Sequence, residues 1–216
     1  MSLPTLQVVL DNRWDINTPQ SWREPPYLGW TLMKEKKEEV VRWFLAHGAD
    51  PNAFASQEAI TPLSRAVKYS SLAMVRFLFQ HGGRADRGEL VNYVCQIKPG
   101  DEQTLLILRF LLEKGAPPNH ILYEEYPELF DLTMFSLTPL LTCCVKGDTE
   151  AARVLLRYGA DPCKTAVLMN KLPIDLAREH GHQDLVDLLT RAMNPSYKAS
   201  ALERHVGATG DCRRFG

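Results

Sequence analysis

No apolar run in this chain approaches the roughly 18–20 residues needed to cross a bilayer. Its first residues also lack the basic-then-apolar pattern of a secretory leader. Neither sign of charge dominates: 25 Lys and Arg face 26 Asp and Glu, for a net charge of −1. That balance provides no electrostatic footprint for nucleic acid or an anionic membrane. Cysteine is sparse. The five residues (Cys95, Cys143, Cys144, Cys163 and Cys212) are odd in number and contain no C-x-x-C pair, which suits a reducing compartment rather than a disulfide framework. There is no Gly-rich phosphate loop, no G-x-S-x-G and no H-E-x-x-H. These absences lead us to expect a chain that stays where it is made, cytoplasmic or nuclear. It should have no catalytic set, cofactor or metal, and should touch neither nucleic acid nor membrane directly.

What is present is repetition. Residues 138–162 read TPLLTCCVKGDTEAARVLLRYGADP; residues 61–86 read TPLSRAVKYSSLAMVRFLFQHGGRAD; residues 172–189 read LPIDLAREHGHQDLVDLL. Gly48, Gly82, Gly115 and Gly159 each end an apolar stretch and are separated by 34, 33 and 44 residues. The preceding stretches are VVRWFLAHG, MVRFLFQHG, ILRFLLEKG and AARVLLRYG, with a fifth, LVDLLTRAM, lacking the glycine. Apolar residues at i, i+1, i+4 and i+5, such as Val40, Val41, Phe44 and Leu45, make one broad stripe on a helix packed against several neighbours. By this pattern Leu156 belongs to the core between the fourth and fifth units.

Local chemistry predicts where these helices start and stop. Thr61 and Thr138 can cap a first helix with a side-chain oxygen, and Pro62 and Pro139 follow where a missing N–H costs nothing. Gly48 and Gly159 close a second helix in left-handed conformation. Between them Ala66 and Val67, then Cys143 and Cys144, then Ala177 are small or compact residues that let the paired helices approach. Residues 27–33 and 38–47 are predicted as the helices of the first pair, and 89–97 as the first helix of the third, which lacks T-P-L.

The T-P-L opening, the small pair, the V-V-x-L-L-L stretch and the G-A-D-x-N close resemble the ankyrin repeat, whose period is roughly 33 residues. The resemblance implies an all-α solenoid of about five helix pairs, at about 23–52, 57–86, 87–119, 134–163 and 168–192, with an N-terminal half-repeat over 5–17. In that half-repeat Arg13 replaces the glycine and Trp14 the alanine, while Asp15 and Asn17 keep their places. Beyond the array, residues 193–216 are mildly basic and without apolar period, and are expected to form a flexible tail.

The remaining chemistry-bearing residues have ordinary places in this motif. Cys143 and Cys144 fill the small-pair position, and His47, His81, His180 and His182 sit at turns. Asp175 beside His180 lacks a nucleophile. More individual is an insertion of about eleven residues before the fourth pair: 120–137 reads HILYEEYPELFDLTMFSL, and no Lys or Arg occurs between Lys114 and Lys146. Its aromatic residues can either fold back on the array or anchor a partner.

The family resemblance implies a protein-interaction module, monomeric, serving as a scaffold or regulatory subunit, with a transcription coregulator as a special case and an atypical enzyme or small-ligand binder as the alternative. In such arrays recognition uses turn tips and the exposed side of the first helices. By motif position these are Lys68, Tyr69, Lys146, Glu179 and His180 on the helices, and Gln57, Glu58, Met169 and Asn170 at the tips. Tyr123, Tyr126 and Phe130 of the insertion join them as candidate anchors for a protein partner.

Overall fold

The sequence punctuation becomes helix ends. In a computed structural model, residues 3–21, 24–34, 38–54, 60–121, 137–165 and 170–194 are described. Among them are eleven helices and no strand: α1 (Leu3–Asp11), α2 (Tyr27–Lys34), α3 (Glu38–Ala46), α4 (Pro62–Tyr69), α5 (Leu72–Gln80), α6 (Leu90–Cys95), α7 (Glu102–Glu113), α8 (Pro139–Lys146), α9 (Thr149–Arg157), α10 (Pro173–Glu179) and α11 (Gln183–Met193). Thr61 is extended and its hydroxyl accepts from the Ser64 N–H at 3.0 Å, while the Thr61 N–H donates to the Ser64 hydroxyl at 3.2 Å. Thr138 accepts from the Leu141 N–H at 3.2 Å. The second helices have caps of their own: Ser71, Asp101 and Asp148 accept from Met74, Thr104 and Ala151 N–H groups. Each cap satisfies a donor that the helix itself leaves open.

Helices pair as α2–α3, α4–α5, α6–α7, α8–α9 and α10–α11. The first helices then stack side by side in the order α2, α4, α6, α8, α10, and the second helices as α5, α7, α9, α11. One continuous core runs through the stack, from Leu6 on α1 through Phe44, Leu63, Leu78, Leu111, Cys143 and Leu155 to Leu189. Cys143 and Cys144 are fully buried small-pair residues. A hydrogen bond with the Cys95 thiol, together with burial, pushes the Cys143 thiol well up, and burial pushes Cys144 up to about 12. Both stay protonated and behave as compact apolar groups. The expected place of Leu156 is off by one: Leu155 is fully buried and Leu156 only half-buried. Over so short a helix, a slip of 100° moves a side chain from core to rim.

The closing glycines adopt the left-handed backbone their positions need, with φ of 86° to 93° at Gly48, Gly82, Gly115 and Gly159. Arg13, their counterpart in the half-repeat, holds the same conformation at φ 65° although it carries a side chain, so the turn's geometry outranks local preference there. Four residues beyond three of these closing positions stands an asparagine that staples one turn to the next. The Asn17 amide donates to the Gly48 carbonyl (3.0 Å) and accepts from the Asp50 N–H (2.7 Å). Asn52 does the same with Gly82 and Arg84 (2.9 and 2.8 Å), and Asn119 with Gly159 and Asp161 (2.8 and 2.7 Å). At the equivalent position of the second unit stands Asp86, which instead pairs with Arg84 at 2.7 Å. The next turn there offers Pro117, which has no N–H to give.

Candidate functional site

The candidate surface is the row of first-helix ends. Counting from each N-cap, Tyr69, Ile97, Lys146 and His180 occupy one register position on α4, just past α6, on α8 and just past α10. Because neighbouring helices lie about 8–10 Å apart, this is an extended row rather than an enclosed pocket. Lys68 places its ammonium 5.5 Å from the Tyr69 ring centre, and both side chains are half-buried. The pair is held close by its own chain and still presents an aromatic face and a positive charge.

Lys146 is differently placed. Its ammonium donates to the carbonyls of both Gln96 and Ile97, closing the C-terminal end of α6. A residue placed by motif position on the recognition face therefore also holds the fold, because α6 relies on that cation. Glu179 is exposed and pairs with Lys171 at 2.8 Å. The exposed His180 ring bonds through Nδ1 to the Leu176 carbonyl at 2.9 Å and lies parallel to His182, with centroids 6.2 Å apart. Asn170 has a left-handed backbone at φ 46°. Gln57, Glu58, Met169, Tyr123, Tyr126 and Phe130 lie outside the described residues, as does the 193–216 segment beyond Asn194.

The sequence reading missed three features. A cleft of about 250 Å³ opens where the third pair departs from the motif, bordered by Phe54, Asp86, Arg87, Glu89, Asn92 and His120. Asn92 is only 2% exposed; its amide N–H donates to the His120 carbonyl, and among the described residues its oxygen has no hydrogen-bond partner. The second feature is a series of cations over rings on the second helices: Arg42 lies 4.3 Å from the Phe77 centroid, and Arg76 lies 5.5 Å from that of Phe110. Each arginine reaches the aromatic of the following unit, a contact hidden in sequence by some 34 intervening residues. The third is a wider groove beside Phe110, about 530 Å³ in volume. Among the described residues, no group of three or more His, Cys, Asp or Glu residues could hold a metal ion, and no helix is long and apolar enough to cross a membrane.

Stacked helix pairs joined by glycine-closed turns and stapled by asparagine define a class, and residues 136–166 match the ankyrin-repeat family. The helix-pair stack around that match has the architecture of an ankyrin-repeat array. The chain is similar over most of its length to two IkB-like proteins of African swine fever virus. One, from a tick isolate of Malawi, is 27% identical over 195 residues, covering 82% of this chain and 78% of the relative. The other, from a pig isolate of Kenya, is 26% identical over 175 residues, covering 76% and 70%. Fold and relatives together support a protein-interaction module with a regulatory role.

Proposed function

We propose that this chain is a non-catalytic regulatory subunit that binds a protein partner along its row of first-helix ends. The observation carrying this reading is the Lys68–Tyr69 pair. It places a ring and an ammonium together at an end of the first-helix row, the side that ankyrin arrays use for recognition. Aromatic side chains with a polar rim are the groups that concentrate binding energy at interfaces. His180 and Glu179 extend the surface on the far side of Lys146. The name of the viral relatives, IkB-like, favours a regulator over a passive scaffold; whether its partner is a transcription component is decided by what the chain captures.

Affinity capture from the native cell followed by titration of the captured protein tests the surface. Tyr69→Ala is expected to weaken binding tenfold or more, about 1.4 kcal/mol, with the melting temperature nearly unchanged. Arg157→Ala, on an exposed second-helix position, should change neither. Loss of binding in the Arg157 variant with full binding in the Tyr69 variant would place the partner elsewhere.

A further inference from the structure

We propose that the groove between α5 and α7 is a second docking site, built to take an acidic segment of a protein partner that also carries an apolar side chain. The groove is about 530 Å³ and is bordered by Arg76, Phe79, Gln80, Gly83, Ala85, Phe110 and Lys114. Arg76 and Lys114 approach the same ring from different elements, 5.5 and 5.7 Å from the Phe110 centroid. Both are exposed. Among the described residues neither makes an ion pair, and no acidic residue borders the groove. Phe79 meets Phe110 edge to face at 5.1 Å and 86°, so the floor between the cations is apolar.

The corresponding groove two helices further along shows that this charge is not a general property of the second-helix face. Between α9 and α11 the bordering charges are Glu150, Asp184 and Asp187 against Arg153 and Arg191, and Arg153 already lies 3.4 Å from Glu150. With three acids against two arginines, that groove has no positive charge to spare. The α5–α7 groove leaves two cations over one aromatic floor, which a carboxylate with a neighbouring apolar side chain would complement: a guanidinium donates paired N–H groups to the carboxylate while the rings take the apolar group. Charge complementarity therefore selects an acidic peptide segment as the occupant.

The inference rests on the reading of the chain as a protein-interaction module but not on which first-helix residues serve it, and the probe separates the two. The whole chain is titrated with a synthetic capped peptide, Glu-Glu-Phe-Leu-Glu-Glu, and followed by amide chemical shifts and by calorimetry. Shifts should concentrate on α5, α7 and the Gly83–Ala85 turn. R76E/K114E should weaken binding at least tenfold, and so should the milder R76Q/K114Q, which guards against a folding defect; Tyr69→Ala should leave peptide binding intact. Absence of binding at millimolar peptide, equal binding by the charge-reversed chain, or equal binding of the peptide with Gln in place of every Glu would overturn the site. So would tighter binding of a single-stranded oligonucleotide at the same residues, which would make phosphate rather than carboxylate the occupant.

Discussion

The third and fourth helix pairs are neighbours built on one plan, yet they are held together by different means. The fourth carries its own fastenings. Thr138 caps α8, Pro139 starts it, Gly147 ends it in left-handed conformation at φ 75°, and Asp148 caps α9. In the third, Glu89 stands where a capping threonine belongs, with a left-handed backbone at φ 50° and no capping bond from its side chain, and α6 spans six residues against the eight of α8. What α6 lacks in its own sequence is supplied from outside. Ser64 of the preceding pair donates its hydroxyl to the Gly88 carbonyl at 2.6 Å, Asn92 ties the helix to the turn at His120, and Lys146 of the following pair closes its far end. A Cβ on Gly88 would lie 2.5 Å from the oxygens of Thr61 and Ser64, so that turn is fitted against the previous cap. The fourth pair is locally specified; the third exists because its neighbours do, a dependence that nearest-neighbour coupling makes possible in stacked repeats.

Core truncation should expose that difference with the largest effect. Leu155→Ala in the fourth pair and Leu111→Ala in the third each remove a fully buried side chain and should cost about 2–5 kcal/mol. Leu156→Ala, at a half-buried position, should cost clearly less. In hydrogen exchange the Leu155 variant should loosen α8–α11 first. The Leu111 variant should open the third pair and divide the array there. Uniform loosening of every pair in both variants would abolish the distinction.

How much of this was legible beforehand depends on the reach of each interaction. The helix pairs, their order and their capping threonines and glycines were legible because caps and apolar stripes act within a few residues. Residues 27–33 and 38–47 proved to be α2 and α3 to within one residue. Leu156 was misplaced because Leu155 and Leu156 satisfy the same apolar pattern and only the exact helix rotation chooses between them. Lys146, the asparagine staples and the Arg76–Phe110 contact were not legible at all. Their partners lie 49 and 50, 30–42 and 34 positions away, and become neighbours only when the units stack. The candidate site was legible as a register on the first helices, not as a set of free side chains.

Borrowed fastenings should be removable one at a time. Lys146→Met keeps an apolar stem of similar length but removes the ammonium from the Gln96 and Ile97 carbonyls. Charge-assisted hydrogen bonds of this kind support a loss of about 1–2 kcal/mol, read as a lower urea midpoint. Faster amide exchange should be centred on α6, although the substitution is on α8. Exchange that rises only within α8 would mean the third pair does not lean on its neighbour.

The smallest effect concerns the missing staple, where the comparison predicts an interaction instead of a single loss. Asp86→Asn restores the residue found at the equivalent positions 17, 52 and 119, but the facing turn presents Pro117, so the second of the two staple bonds has no donor. It also breaks the exposed Arg84–Asp86 pair, whose contribution is small at such a surface. Alone, therefore, it should shift stability by no more than about 0.5 kcal/mol. Pro117→Asp supplies the N–H at the position held by Asp50 and Asp161 opposite Asn17 and Asn119, and alone should be neutral or mildly destabilising because it frees the unfolded chain. Combined, the two substitutions should recover about 1 kcal/mol more than their separate effects sum to, since only together can the amide both donate and accept across the turn. A double-mutant cycle in urea measures that excess directly. A coupling of zero would show that the second turn is separated from the third by more than a missing donor, and that the asparagines staple turns already held in register by the helices.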